Sequence, residues 1–419
     1  MDYKNLFEQQ KEFFNSNATR DIAWRIQQLK QVKQLVIENE TALLDALKSD
    51  LNKPAQEAWI TELSYITGDV DHVIKHLRKW AKPRKVRTPL VVMPGKSFIQ
   101  PEPLGSVLIM GAWNYPVQLV MAPLVAVISA GNCAVIKPSD LAPAVSAVLA
   151  KLIPQYLDNN AFSVVEGAIP ETTALLELPF DHIMYTGNGA VGRIVMAAAA
   201  KHLTPVTLEL GGKSPVYLDK STDINIAAQR LAWGKWMNAG QTCIAPDYVL
   251  TTKEMVEPLV KALQHQINEM FSQDPAASNS YGRIVNKRHT ERLSTYLDSG
   301  EVVQGGNFDA EQQYFEPTIV VNPELDSKLM TEEIFGPIFP IITVDNYLSA
   351  KELVIKRDKP LAAYIFTKDK NQQQDWINTI SAGSQCINDV IMFNAVPELP
   401  FGGTGSSGMG RYSGKSGFD

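Results

Sequence analysis

One pattern limits the possible folds more than any other. From residue 105 to residue 210, apolar strand-like runs alternate with helix-like segments. Strand candidates cover residues 106–110, 133–136, 162–165, 182–186 and 206–210, and helix candidates cover 117–129, 142–152, 172–176 and 191–202. Strand and helix alternating in this way predict a parallel sheet with helices on both faces. A second such series runs from 223 to about 389, with strands near 247–250, 318–321, 338–344, 362–367 and 384–387. The predicted fold class is therefore α/β, with two doubly wound units. At 419 residues, roughly two or three domains with substantial cores are expected.

The flanking regions differ in character. The first 80 residues read as helical, with Ile22, Ile26, Leu29, Val32 and Val36 at helical spacing, and a second helix follows Asn52-Lys53-Pro54 through Trp59, Leu63, Ile66 and Val70. Residues 82–103 carry five prolines and an extended-looking Leu90-Val91-Val92, as in a projecting hairpin or arm. The apolar stretch 117–130 is too short for a bilayer span and contains Gln118 and Pro123, so it reads as a buried helix. No integral membrane segment is expected, and the charged, polar N-terminus looks like neither a secretory leader nor a transit peptide. Thirty-nine Lys and Arg against 45 Asp and Glu leave a net charge of −6, which gives no overall field for nucleic acid. Three cysteines without a C-x-x-C pair exclude a disulfide framework and a cysteine-rich zinc module. A reducing, cytoplasmic location is expected.

Ligands of open parallel sheets bind at the carboxyl ends of strands. Four loops are placed there: Gly111-Ala112-Trp113-Asn114-Tyr115-Pro116, Lys137-Pro138-Ser139-Asp140, Gly187-Asn188-Gly189-Ala190-Val191-Gly192 and Glu209-Leu210-Gly211-Gly212-Lys213. The third matches G-x-G-x-x-G between a strand and a helix, a pattern that lets backbone approach a pyrophosphate and also occurs as a plain turn. Glu209, 22 residues after Gly187, and the pair Lys137 and Asp140 all remain open as ribose ligands. Cys133 and Cys386 sit inside strand-like runs, whereas Cys243 follows a Gly240-Gln241-Thr242 turn and is the cysteine placed to react. Backbone N–H groups or a nearby cation would lower its pKa and make it a nucleophile. His72 and His76 share a helix face, but no third ligand accompanies them and no metal site is expected. Serine-hydrolase elbows and P-loops are absent from the sequence.

Taken together and in order, Trp113-Asn114-Tyr115-Pro116, Lys137-Pro138-Ser139, Tyr185-Thr186-Gly187, Leu208-Glu209-Leu210-Gly211-Gly212-Lys213, Gly240-Gln241-Thr242-Cys243, Glu333-Ile334-Phe335-Gly336-Pro337 and Pro400-Phe401-Gly402-Gly403 resemble the signature set of the NAD(P)-dependent aldehyde dehydrogenase superfamily. The wording after Cys243 is most similar to the class 3 and fatty aldehyde dehydrogenase branch. The resemblance implies a Rossmann-like cofactor domain (1–81 and 104–210), a catalytic domain (211–390), and an oligomerisation arm with C-terminal segment (82–103 and 391–419). It implies Cys243 as nucleophile, Glu209 as general base and Asn114 as oxyanion donor. It also implies Lys137, Asp140, Thr186, Gly187, Gly192, Glu333, Phe335 and Phe401 around NAD, with NADP accepted as well.

On this reading the chain oxidises medium- to long-chain or aromatic aldehydes through a thioester on Cys243. Tyr65, Tyr115 and Trp233 would line an apolar substrate mouth, with Trp236 and Met237 divided between mouth and core. A homodimer is expected. Two alternatives stay open: an acylating or semialdehyde dehydrogenase, which a hydrolytic Glu209 disfavours, and a silent NAD-binding scaffold, which an intact cysteine and carboxylate disfavour.

Overall fold

The computed structural model describes residues 2–419. Five helical segments come first (Tyr3–Asn15, Ile22–Glu38, Glu40–Leu51, Ala55–Ala58 and Ser64–Trp80), the last two joined by a π-helical turn at Trp59–Leu63. A short antiparallel hairpin follows, β1 (Arg84–Val86) and β2 (Ser97–Ile99). Between its strands Leu90–Val92 forms a 3-10 turn, not the extended segment its composition suggested, because Pro89 and Pro94 bracket it and it has no strand partner.

The first sheet contains β3 (Ser106–Met110), β4 (Cys133–Lys137), β5 (Phe162–Val164), β6 (His182–Thr186) and β7 (Val206–Glu209). The second contains β8 (Pro215–Leu218), β9 (Tyr248–Thr251) and β10 (Glu301–Gln304); after a small hairpin of β11 (Phe308–Asp309) and β12 (Tyr314–Phe315) it continues with β13 (Thr318–Val321), β14 (Ile338–Thr343), β15 (Ala362–Phe366) and β16 (Ser384–Ile387). Finally β17 (Gly408–Met409) returns to the first sheet and pairs antiparallel with β7. Part of the segment beyond residue 390 thus completes the first sheet as well as extending from the second.

Strand order in the first sheet is β17-β7-β6-β3-β4-β5. The chain builds outward from β3 in one direction through β4 and β5, then returns to build β6 and β7 on the other side. That reversal leaves a crevice between the carboxyl ends of β3 and β6, where Gly111 and Gly187 follow. Second-sheet order is β10-β13-β14-β9-β8-β15-β16, with β9 at the centre and β8 beside it. The sequence pattern had not revealed β8, a fully buried four-residue strand starting at a proline, nor the short antiparallel edges β10 and β17.

Nearly every residue of the central strands is buried, as expected of a sheet covered on both faces. Helix Gln118–Ala130 is buried on nearly all sides and ends at Gly131 in the left-handed conformation (φ 84°). It lies between the N-terminal helices and the first sheet, sharing one core with Leu29, Val36, Leu47, Ile66, Val70 and Ile136. Among the described residues no helix is long and apolar enough to cross a membrane.

Candidate active site

Cys243 occupies a turn between helix Ile224–Trp236 and β9. It therefore enters at the amino end of a second-sheet strand and faces the carboxyl ends of the first. Three consecutive residues before it, Asn238, Ala239 and Gly240, have φ of 52°, 51° and 76°. Left-handed backbone costs a non-glycine residue of order 1–3 kcal/mol and persists only where neighbours enforce it. Here they do. The Asn238 N–H donates to Glu57 Oε1 (2.9 Å), and Asn238 Nδ2 donates to the Asn114 carbonyl (2.8 Å). Gln241 braces the turn from beneath, donating to the carbonyls of Asn238 (3.0 Å) and Arg283 (2.9 Å) and accepting from the Val285 N–H (2.9 Å). At Gly240 a Cβ would stand 2.2 Å from the Gly336 carbonyl oxygen, so only glycine lets the Glu333–Pro337 loop close over the turn. Thr242 shares a hydrogen bond of 2.5 Å with Tyr115. The motif leading to Cys243 is thus a set of supports for one strained turn.

The loop after β3 meets the same turn. Asn114 is buried and its Nδ2 donates to the Gln241 carbonyl (3.0 Å), two residues before the cysteine. From the other side comes Glu209, the last residue of β7, in register with Thr186 on β6 and Gly408 on β17. It is 2% exposed and neither carboxyl oxygen has a protein partner. Burial pushes its pKa well above the usual carboxylate range, opposed only by Arg411. Glu333 lies against Gly211, where a Cβ would sit 2.0 Å from its Oε2. Burial pushes this carboxyl up to about 7, against the Gly212 N–H, which holds it down.

These groups act on the cysteine. Burial pushes the Cys243 thiol upward, and the carboxyls of Glu333 and Glu209 add to the effect; its own N–H and that of Ile244 oppose it. The condition for a thiolate near neutral pH, a pKa lowered by backbone N–H groups or a cation, is therefore not met by the chain alone. Donor N–H groups are present, but no cation is among the groups acting on the thiol and burial prevails.

One cofactor candidate, Glu333, lines a cleft of about 570 Å³, together with Asn188, Gly189, Gly211 and Gly212 from the neighbouring loops. Gly187 donates its N–H to the Glu209 carbonyl (2.9 Å), Asn188 caps helix Gly189–Ala200, and Gly192 lets that helix pack on Leu210. Thr186 Oγ1 is buried without a partner, a polar group that a bound nucleotide would satisfy. Lys137, at the end of β4, is buried and donates to the Pro138 carbonyl (2.8 Å). Burial lowers its pKa against the pull of Asp140, Glu171 and Glu166. Phe335 adopts φ 45° and meets Trp113 edge to face at 5.2 Å. Phe401 bridges Tyr412 through paired backbone hydrogen bonds.

Of the substrate-mouth candidates, Tyr65 and Trp233 are partly exposed and border the second core. Burial raises the Tyr65 hydroxyl to about 12. Tyr115 is buried, its hydroxyl committed to Thr242 and its ring beneath the Lys53 ammonium. Trp236, which donates to the Pro337 carbonyl (2.9 Å), and Met237 belong to the core.

Several supporting residues had no role expected from the sequence. Lys213 pairs with Asp247 (2.5 Å) and donates to the carbonyls of Leu329 and Glu332 (2.8 Å each), while Asp247 accepts from the Ile334 N–H (3.1 Å). Arg292 donates to the Ile334 carbonyl (2.7 Å). Both anchor the Glu333 loop. From the N-terminal layer, where only apolar periodicity had been visible, Lys53 and Glu62 support the Asn114 loop and Glu57 supports the Asn238 turn.

Residues 1–419 match the model of the Aldehyde dehydrogenase family. The chain is 46% identical to aldehyde dehydrogenase family 3 member A2 of Mus musculus, over 98% of its own length and 84% of that protein. It is 45% identical to the dimeric NADP-preferring aldehyde dehydrogenase of Rattus norvegicus, covering 98% and 90%. Against the 4,4'-diaponeurosporen-aldehyde dehydrogenase of Staphylococcus aureus it is 45% identical, covering 99% and 92%. A solved structure of the substrate-bound state of Staphylococcus aureus AldH superposes with TM-score 0.97 at 44% identity, covering 99% of this chain and 91% of that one.

Two expectations follow from the electrostatics. Because burial raises the Cys243 thiol, its alkylation by iodoacetamide, followed by peptide mapping, should keep accelerating as pH rises beyond 9; a plateau below pH 8 would contradict this. For Glu209 the native carboxyl keeps its proton at pH values where the unfolded chain, near 4.3, has lost it. The native state then binds more protons, so stability falls as pH rises above that value. Glu209→Gln never ionises, so its thermal midpoint should exceed that of the parent by a few degrees at pH 8 and match it near pH 4. A parent more stable than the variant at pH 8 would refute the shift.

Proposed function

The chain belongs to the aldehyde dehydrogenase family and oxidises aldehydes to acids with NAD(P), and we propose that Cys243 is its nucleophile, Asn114 its oxyanion donor and Glu209 its hydrolytic base. The observation that carries these roles is the meeting of three elements. A cysteine on an enforced turn, an asparagine amide bonded to that turn and an unpartnered carboxyl within electrostatic reach come together at the crevice of the first sheet.

Sulfur attack on the aldehyde carbon moves negative charge onto the carbonyl oxygen. The Asn114 amide and the Cys243 N–H receive that charge, and preorganised donors of this kind contribute about 3 kcal/mol each to lowering the barrier. NAD(P), when bound, would supply the acceptor for the hydride that this carbon must lose. Cys243 then carries a thioester. Glu209 takes a proton from water as the water oxygen attacks the acyl carbon, releasing the acid and restoring the thiol. A raised pKa suits both halves of this cycle. Protonated, Glu209 does not repel the thiolate, and ionised it is a stronger base than an ordinary carboxylate. Lys137 and Asp140 would hold the adenosine ribose, Thr186, Gly187 and Gly192 the pyrophosphate turn, and Glu333 the nicotinamide ribose, with Phe335 and Phe401 confining the ring.

The proposed substrates are medium- to long-chain or aromatic aldehydes, entering past Tyr65 and Trp233; a relative named for a long polyene aldehyde supports that class. Asp140, Glu166 and Glu171 around Lys137 favour an unmodified ribose 2′-hydroxyl, so NAD is the preferred cofactor, with NADP accepted. Exposed Leu90, Val91, Phe98 and Ile99 on the hairpin suit a homodimer, and a relative is named dimeric. We assign 1–81 and 104–210 to cofactor binding, 211–390 to catalysis, and 82–103 with 391–419 to the arm and C-terminal segment. Three free thiols fit a cytoplasmic setting.

A spectrophotometric panel of octanal, a long-chain enal, benzaldehyde and an apocarotenoid aldehyde, each with NAD and NADP, tests this reading. Apolar aldehydes with NAD should give the highest kcat/KM, and Cys243→Ser should lose about a thousandfold or more. Preference for a small charged semialdehyde would refute the substrate class, and ordinary turnover by Cys243→Ser would refute the nucleophile.

A further inference from the structure

The N-terminal helical layer contributes no strand to either sheet, yet it reaches the active site through a buried ion pair. Lys53 lies just beyond helix Glu40–Leu51, and Glu62 lies in the π-helical turn Trp59–Leu63. Lys53 Nζ stands 2.5 Å from Glu62 Oε1, and both side chains are wholly buried. π-helical turns are uncommon and frequently accompany functional sites.

Both members of the pair direct their remaining hydrogen bonds to one loop. Lys53 Nζ donates to the Asn114 carbonyl (3.0 Å) and lies 4.1 Å from the centroid of the Tyr115 ring. Glu62 Oε2 accepts from the N–H groups of Val117 (2.8 Å) and Gln118 (3.2 Å), where helix Gln118–Ala130 begins. Asn238 Nδ2 donates to the same Asn114 carbonyl, and Glu57, from the preceding helical turn, accepts from the Asn238 N–H. The Asn114 peptide is thus clamped between Lys53 and Asn238 while its side-chain amide points at the turn carrying Cys243. Rotating that peptide would redirect the amide, and donors in active sites lose their effect with displacements of about 1 Å.

We propose that Lys53, held by Glu62, is a positioning residue for aldehyde oxidation, aiming the Asn114 amide at the developing oxyanion by fixing the Asn114 carbonyl. The inference rests on Asn114 being the oxyanion donor. Docking of the helical layer alone would need a buried pair but not this convergence on Asn114.

Lys53→Met alone would strand a buried carboxylate, so the test uses Lys53→Met/Glu62→Gln, in which the glutamine oxygen can still accept from Val117 and Gln118. In the full-length protein kcat should fall roughly 10- to 100-fold. KM for the aldehyde and Kd for NAD, the latter from protein fluorescence, should stay within about threefold. A double-mutant cycle isolates the route: in an Asn114→Ala background the same pair of substitutions should cost kcat no more than about twofold. Three results would overturn the proposal: kcat within twofold of the parent, a loss that matches the unfolded fraction in circular dichroism, or additive losses in the cycle. Full kcat in Asn114→Ala alone would overturn the oxyanion assignment itself, independently of Lys53.

Discussion

The left-handed run from Asn238 to Gly240 is the constraint on which the site depends. Such backbone does not form unaided, and its supports come from three separate parts of the chain. Glu57 reaches it from the N-terminal helices, Asn114 from the first sheet, and Gln241 with the Gly336 carbonyl from the second. A turn that exists only when all three parts are docked ties formation of the nucleophile to completion of the fold. It also explains why the residues before Cys243 have little freedom: Gly240 admits no Cβ, and Gln241 uses both its oxygen and its nitrogen in bracing.

The site's electrostatics run against stability. Glu209, Glu333 and Glu57 are carboxyls whose burial raises their pKa, and Cys243 is a thiol raised in the same way. Each is more costly to ionise in the native protein than in the unfolded chain. Desolvated acids serve proton transfer near neutral pH, as a hydrolytic base requires, and a neutral carboxyl beside a thiol spares the thiolate a repulsion. Two other buried ion pairs, Lys213 with Asp247 and Lys53 with Glu62, hold their charges close together. Glu209, by contrast, has no protein partner for either carboxyl oxygen.

Much of this was legible in the sequence, and the gaps have physical causes. Runs such as Ser106–Met110, His182–Thr186 and Thr318–Val321 read directly as strands because chains buried on both faces are largely apolar. The inner strand β8 escaped because it is short and begins at Pro215, and β17 because two residues in a glycine-rich tail form no pattern. Motif order brought Cys243, Asn114 and Glu209 forward, since their loops lie at strand ends where chemistry-bearing residues interrupt apolar runs. Lys53, Glu57, Glu62 and Arg292 stayed hidden. A charged residue on an amphipathic helix looks like a solvated one until tertiary packing buries it, and no local spacing distinguishes the two cases. The direction of the thiol pKa was hidden for a related reason: burial depth is a property of the assembled layers, not of the turn.

The central claim is that aldehyde carbon passes through a thioester on Cys243 that Glu209 releases to water. Intact-mass and peptide mass spectrometry of Glu209→Gln protein, quenched in acid after mixing with NAD and octanal, tests it most directly. The account predicts an octanoyl adduct on the peptide containing Cys243, approaching one per chain, while the parent shows only a small fraction. An unmodified Cys243 in the variant, with NADH still produced at the parental rate, would contradict it.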